Sequence, residues 1–508
     1  MVKFLSGRGC AWWSLRLSLF VVLSSLQMTG QTLARQGWAG SGISVDPWWK
    51  QSILYQLDPL SFQDSNGDGF GDLRGVVDRL DYLAGLGVDV VILSPFQLQP
   101  AFEHTGSPPA LDPRTGTQED FDQLVAEAGR RKIRIVVDLP IGPSRSPEQL
   151  ASVSRFWLSR GVAGLRLVQD ASAPGMLLQA DRELRLQELH RIANSYMGQR
   201  ILLWDQAAAV AGRPADVVPS VRSARHRGGR ATAHHVQQHG SPATTQMTVD
   251  HIFQGLPAFS APDLQSAFAH RVALQGSTPV ISTDGNDRVR SFDRYGGDDN
   301  AKAVAALLLT TDGAPLLYFG QEIGLSAGVT PPGRSVAGDD VRMQWGGDSG
   351  STTTGAAQPK AGSNAETANV SLEDPEQNSL LNWYRKLAEL RHRSDVLHNG
   401  SLEVLASGIP EVVCWVRRSG ASPPVVVVLN LSSHAEIIPL TSELHRLGIS
   451  PGSGLLRTLA TTGPETPQST AGISLPAHGV YLGELRPQPG LESVTLPVRS
   501  SRSRKRGR

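Results

Sequence analysis

The chain has 508 residues, of which 40% are apolar and 19% charged; this excludes a single short core, wholesale disorder, collagen and a multi-span membrane protein. A net charge of +1 gives no hint of a nucleic-acid partner. Two cysteines, Cys10 and Cys414, cannot make a disulfide scaffold.

In chain order, residues 1–34 come first. Lys3, Arg8 and Arg16 precede a ten-residue apolar stretch at 17–26, and Thr32-Leu33-Ala34 follows as a small-residue cleavage site. That is the pattern of a secretory signal. The stretch is about half the roughly 20 residues that a spanning helix needs, so no transmembrane span is expected and the protein reads as secreted or periplasmic, with an uncleaved anchor as the alternative. Residues 35–47 read as a linker.

From 48 to 395, short β-branched runs alternate with amphipathic stretches. Strands are expected at 53–59, 88–95, 133–140, 162–168, 201–205, 245–253, 278–285 and 315–320, with helices at 73–86, 119–132, 148–160, 182–196, 263–275, 301–309 and 376–393. Eight strand-helix units predict an α/β fold, a (β/α)8 TIM barrel, with its chemistry on loops at the C-terminal ends of the strands. Two stretches break the rhythm and read as surface loops: 224–245, with His226, His234, His235 and His239, and the Gly/Ser/Thr/Ala-rich 346–369. No acid or cysteine accompanies those histidines at ligand spacing.

Between the first strand and first helix lies Asp64-Ser65-Asn66-Gly67-Asp68-Gly69-Phe70-Gly71-Asp72. Oxygens of Asp64, Asn66, Asp68 and Asp72, with the Phe70 carbonyl, are spaced to wrap one hard cation, and Ca2+ is the natural candidate. It is not a helix-loop-helix calcium hand, because the twelfth position is Gly75 where that motif has a bidentate Glu. A metal-free Gly/Asp turn is the alternative.

Residues 396–490 change to alternating short strands, such as 408–417 and 425–431, which predict a C-terminal antiparallel β-sandwich. Cys414, within Val412-Val413-Cys414-Trp415-Val416, reads as a core side chain. Residues 491–508 form a basic tail with Arg499, Arg502, Arg504, Lys505, Arg506 and Arg508. Removing the three leader cations and these six leaves a body of −8, and the tail could contact an anionic envelope surface.

These residues resemble the α-amylase superfamily, glycoside hydrolase family 13, in its oligo-1,6-glucosidase and trehalose synthase branch. The likeness is carried by Trp48-Trp49-Lys50, Tyr55-Gln56, Ser61-Phe62 and the calcium loop, then by Leu80-Asp81-Tyr82-Leu83, Gly87-Val88-Asp89 and Leu93-Ser94-Pro95. It continues through Asp112-Pro113-Arg114, Gly116-Thr117, Glu119-Asp120-Phe121, Phe156-Trp157-Leu158, Gly161-Val162, Gly320-Gln321-Glu322-Ile323-Gly324 and Met343-Gln344-Trp345. The resemblance implies the family's barrel with a C-terminal β-sandwich, and an α-linked glucoside or glucan as ligand.

The resemblance also shows where the chain departs from the family. Retaining glycosidases use a carboxylate nucleophile and a carboxyl acid/base. The fourth strand of the family ends Gly-Phe-Arg-Ile-Asp, nucleophile last; here the matching residues are Gly164-Leu165-Arg166-Leu167-Val168. Valine cannot carry a glycosyl ester. Asp170 lies two residues on, roughly 6.6 Å farther along a continuing strand. The acid/base Glu falls on Asp205, and Asn-His-Asp on Gly285-Asn286-Asp287, with Arg290 in register. The family's histidine after Asp138 is replaced within Leu139-Pro140-Ile141-Gly142-Pro143, its Tyr-Asp sugar clamp falls on Glu103-His104, and the lid usually inserted between Pro143 and Phe156 is absent.

Asp205, Asp287 and Arg166 are therefore the residual catalytic candidates, and His104 and Arg290 the substrate contacts. Arg166 and Asp287 are also a candidate structural ion pair. Three readings stay open: a secreted carbohydrate protein with lost or impaired hydrolysis, an active α-glucosidase or transglycosylase using Asp170, Asp205 and Asp287, and a non-enzymatic interaction subunit like the heavy subunit of heteromeric amino-acid transporters.

Overall fold

The computed structural model describes residues 47–94, 109–143, 145–169, 179–205, 245–271, 277–285, 289–327, 341–346, 362–420, 422–450 and 452–486. The expected signal, tail and histidine-rich loop, together with His104, Asp170 and Asp287, lie outside them.

Eight parallel strands close on themselves in sequence order: β1 Leu54–Leu57, β2 Val90–Leu93, β3 Arg134–Ile141, β4 Gly164–Gln169, β5 Ile201–Trp204, β6 Met247–Asp250, β7 Thr278–Ser282 and β8 Ala314–Tyr318. Leu54 pairs with Val90 on one side and with Leu316 on the other, which joins the first strand to the last. All eight expected strands are present. Most are shorter than the apolar runs that announced them, because ladder pairing stops where the chain turns off the barrel rim while the side chains stay buried.

The helices between them start at local signals. Thr117 and Asp120 form a reciprocal capping box at the start of α3, Gln118–Arg130, and Ser146 and Gln149 do the same for α4, Pro147–Ser159, with proline at its first position. The expected helix over 73–86 is two helices, α1 Leu73–Asp78 and α2 Leu80–Leu86, because Arg79 leaves the helical region. Its Nε donates to Gln63 at 2.8 Å and its guanidinium lies 4.0 Å from the Trp345 ring centroid. The remaining large helices are α5 Gln179–Asn194, α6 Ala261–Arg271, α7 Asp298–Thr310 and α8 Leu380–Arg393.

The C-terminal region is a six-stranded antiparallel sheet in the order β14-β13-β16-β11-β10-β9, where β9 is Ser401–Leu405, β10 Val412–Arg418, β11 Val425–Asn430, β13 Leu455–Thr461, β14 Gln468–Ser469 and β16 Val480–Leu485. Its second layer is smaller than a full sheet: the ribbon of β12 Glu436–Ile438 and β15 Ile473–Leu475, and the short helix α9 Thr441–Arg446, which the sequence pattern did not announce. Alternation along β11 explains the sandwich. Val425, Val427 and Leu429 join the apolar cluster of the barrel, whereas Val426 and Val428 pack with Cys414, Ile438 and Leu444. Cys414 is fully buried, donates to the Leu405 carbonyl at 3.4 Å, and its thiol is pushed up to about 12 by burial.

Candidate functional site

Along a barrel strand, alternate side chains face the axis. The register β3 to β4 pairs Val136 with Gly164, Asp138 with Arg166 and Pro140 with Val168. One level of the barrel is therefore polar. The Arg166 guanidinium reaches three side chains there: its Nε and Nη2 each donate to one oxygen of Asp138 at 2.7 Å, its Nη1 to Gln56 Oε1 at 2.6 Å and its Nη2 also to Ser94 Oγ at 2.7 Å. A second carboxylate, Asp205 just past β5, lies 3.4 Å from Nη1.

Burial disfavours the Arg166 charge, but Asp138 and then Asp205 outweigh that and hold the guanidinium above its ordinary range. The expected partner, Asp287, lies outside the described residues. The carboxylates bound to Arg166 are Asp138 and Asp205, which are 28 and 39 residues away and meet it only because β3, β4 and β5 are neighbours.

One level farther toward the strands' C-terminal ends, about 6.6 Å beyond Arg166, stands Val168, partly buried and opposite Pro140. Both are hydrocarbon. No described side chain on this part of β3 or β4 offers an oxygen for attack on a sugar.

Asp205 leads into a second chain of polar groups. Its Oδ1 is 2.9 Å from His251 Nε2, His251 Nδ1 is 2.8 Å from Gln254 Oε1, and Gln254 Nε2 donates to Ser282 Oγ at 2.9 Å and to the Asp284 carbonyl at 2.5 Å. The sequence reading missed His251, Gln254, Gln56 and Ser94 as site residues. One signal was present for Gln56: a polar residue inside the apolar run of a strand buried on both faces requires a polar partner. His251 and Gln254 carried none, being ordinary residues of a strand end and a turn.

Arg290, read as a sugar contact, is 1% exposed; it donates to the Phe319 carbonyl and lies 4.6 Å from the Tyr318 and Phe319 ring centroids. Asp284, just before the Gly285-Asn286-Asp287 segment, accepts from the backbone and hydroxyl of Ser291, and burial pushes its carboxyl up against the pull of Arg294 and Arg290. Glu322 is wholly buried and accepts from Tyr55 and Tyr82 hydroxyls at 2.7 and 2.8 Å. Burial pushes its carboxyl up as well.

In the 64–72 loop, Asp64 accepts from the backbone N–H groups of Asn66, Gly67 and Gly69, Asn66 from Asp68, and Asp68 from Phe70. Gly67 and Gly69 have φ of +83° and +91°, which the loop needs to curl back on Asp64. Asp72 caps α1 through Gly75 N and binds the Ser65 backbone and hydroxyl. Among the described residues, no three His, Cys, Asp or Glu side chains are grouped as a metal cage. The donor set is nonetheless all oxygen, which suits a hard cation.

Comparison with known proteins agrees with this architecture. The family model of the α-amylase catalytic domain matches residues 56–141 and 242–400. The gap between the two segments holds β4 and β5, and so Arg166, Val168 and Asp205. The trehalose-6-phosphate hydrolase of Escherichia coli (strain K12) is 25% identical over 76% of this chain and 91% of its own length. The oligo-1,6-glucosidase of Heyndrickxia coagulans is 24% identical over 76% and 92%. The trehalulose synthase MutB from Pseudomonas mesoacidophila MX-45 superposes with a TM-score of 0.66 at 19% identity, covering 87% of this chain and all of that one, and so shares its fold.

Proposed function

We propose that this chain, a relative of the α-amylase family in its oligo-1,6-glucosidase and trehalose synthase branch, is a secreted or periplasmic protein of carbohydrate metabolism that holds α-linked glucosides or glucan with lost or strongly impaired hydrolysis. The observation that carries the reading is at the nucleophile position. Val168 stands on the axis-facing side of β4 beside Pro140, where a double displacement needs a carboxylate. Asp205, at the proton-donor position, is engaged with Arg166 and His251. Catalysis depends on groups held to a fraction of an ångström, and neither position meets that demand.

The test is an assay of glucose release from maltose, trehalose and p-nitrophenyl α-glucoside, with binding followed by melting-temperature shifts and by retardation in glucan-containing gels. The expected outcome is retardation or a ligand-induced rise in Tm without turnover. Turnover abolished by Asp205→Ala would replace this reading with an active enzyme using shifted acids. Absence of both binding and turnover across varied sugars would remove the carbohydrate assignment.

A Ca2+ ion held by Asp64, Asn66, Asp68, the Phe70 carbonyl and Asp72 belongs to the same proposal. Its support is the all-oxygen chemistry of the donors and the left-handed backbone at Gly67 and Gly69, whose N–H groups turn in on Asp64. The ion would supply structural charge to the entry of α1. Millimolar Ca2+ is expected to raise Tm by several degrees and a chelator to reverse it, with the effect lost in Asp68→Ala. An unchanged Tm would refute the site. We also assign to the basic tail a contact with anionic envelope lipid or polysaccharide; its support is the six cations of residues 499–508 beside a body of net charge −8.

A further inference from the structure

The polar chain beyond Asp205 fixes the direction of each of its hydrogen bonds, starting from the end farthest along the chain from Asp205. Ser282 Oγ donates to the Asp284 carbonyl at 2.6 Å, and that carbonyl can only accept. Gln254 therefore meets an acceptor at Asp284 O and an acceptor lone pair on Ser282, so the amide group facing them is its NH2. The opposite orientation would set the Gln254 oxygen against the Asp284 carbonyl. With its nitrogen so assigned, Gln254 presents its carbonyl oxygen to His251 Nδ1, which must donate.

At the other ring nitrogen stands Asp205 Oδ1, 2.9 Å away. A proton on Asp205 would forfeit its attraction to Arg166 Nη1, 3.4 Å from the other oxygen. Asp205 is then a carboxylate and acceptor, and His251 Nε2 must donate too. Both ring nitrogens carry hydrogen.

We propose that His251 is an imidazolium in the folded protein at neutral pH, and that it positions Asp205 as a shared carboxylate counter-ion between itself and Arg166. Asp138, Arg166, Asp205 and His251 form a neutral quartet of two anions and two cations spanning β3, β4, β5 and the end of β6. Such a quartet is self-consistent, because each ion removed leaves an uncompensated charge of the opposite sign in a poorly solvated place. Asp205 is in contact with His251, and Arg166 and Asp138 lie behind it; Asp250 precedes His251 in the chain and pairs with Arg271, and Asp284 and Arg294 meet the neutral Gln254 through its amide and its backbone carbonyl.

Asp205 matters here because the functional reading above places it at the proton-donor position. A carboxyl held between two cations is kept ionised, and an ionised carboxyl has no proton to give a leaving group. His251 is in this sense a positioning residue. It acts through Asp205 and closes the acid/base role while Val168 closes the nucleophile's.

The experiment is long-range proton–nitrogen NMR on the full chain labelled with 15N-histidine. His251 is assigned by its loss in His251→Gln, or by its displacement in Gln254→Leu should the first variant fail to fold. At pH 8, above the ordinary histidine range near ~6.5, wild-type His251 is expected to show two protonated ring nitrogens. In Asp205→Asn and in Gln254→Leu its titration midpoint is expected to fall by about one pH unit or more. A singly protonated His251 in the wild type at pH 7, or a midpoint unmoved by Asp205→Asn, would overturn the assignment. The signal is independent of turnover, so a positive glucose-release assay would overturn the functional reading and leave this measurement to stand or fall separately.

Discussion

Asp138→Ala is expected to destabilise the barrel by about 3–5 kcal/mol, the usual cost of stripping a buried ion of its partner. Both Asp138 oxygens accept from Arg166 at 2.7 Å, and the arginine side chain is 4% exposed. Burial pushes the Asp138 carboxyl up, and the Arg166 charge and the hydrogen bonds from Arg166 and Ser94 pull against it. Removing the carboxylate leaves two N–H donors with no acceptor and one cation with half of its counter-charge. The paired variant Asp138→Leu with Arg166→Met removes donors and acceptors together and should recover most of the loss. The measurement is the shift in urea midpoint followed by far-UV circular dichroism. A single-variant loss under about 1 kcal/mol would show that the pair is screened by water and not buried in the sense described.

The second large effect is expected where the barrel meets the C-terminal sheet. Arg391 on α8 and Arg417 on β10 are both 0% exposed, and among the described residues neither makes a hydrogen bond to a carboxylate. They serve carbonyls at the end of α7, and each also reaches one carbonyl beyond it. Arg391 donates to Leu309 O at 2.9 Å, Thr311 O at 3.2 Å and Gly313 O, and Arg417 to Thr310 O and Gly400 O at 2.7 Å each. A helix C-terminus carries unpaired carbonyls and a partial negative charge, so a cation belongs there. Burial, and the repulsion of Arg417, push the Arg391 guanidinium down to about 9; burial pushes Arg417 down to about 10.

Arg391→Ala is expected to cost about 3 kcal/mol, since two buried acceptors and one partly buried acceptor lose their donor and each buried one is worth roughly 1–3 kcal/mol. Arg391→Lys should recover little, because one ammonium cannot reproduce the planar fork that spans these carbonyls. The cost should be visible as a lower urea midpoint and as faster proteolytic cutting in the 394–400 connection. If Arg391→Ala melts like the wild type, the junction is held by its apolar contacts alone.

Much of the architecture was legible locally. The eight apolar runs that became β1 to β8 are short and rich in β-branched residues, and the intervening helices open on side chains that satisfy their own first turn, as Thr117 with Asp120 and Ser146 with Gln149 do. The Asp64 to Asp72 loop could be read as a unit because its donors and its glycines are neighbours in the chain. Val168 could be placed because the strand that bears it has a repeat of two, so Arg166 fixes which way Val168 faces.

What could not be read was which groups would meet. Arg166 announced that it would need a carboxylate, but whether Asp138, Asp205 or Asp287 supplied it depended on barrel closure and register. His251 looked like an ordinary residue of the strand expected at 245–253; only the fold sets it beside Asp205, 46 residues earlier, and against Gln254. Arg391 and Arg417 read as the polar face of a helix and the end of a strand, and became buried only when the C-terminal sheet covered the end of α7. The small second layer of that sheet, with α9 in it, followed from which face of β11 was left for it to cover. Composition, periodicity and spacing act within a few residues, and they determined the strands, the helices and the local turns of the 64–72 loop. Charge pairing and desolvation act across space between residues tens of positions apart, so the ion quartet and the arginine-capped junction were decided by the tertiary structure alone.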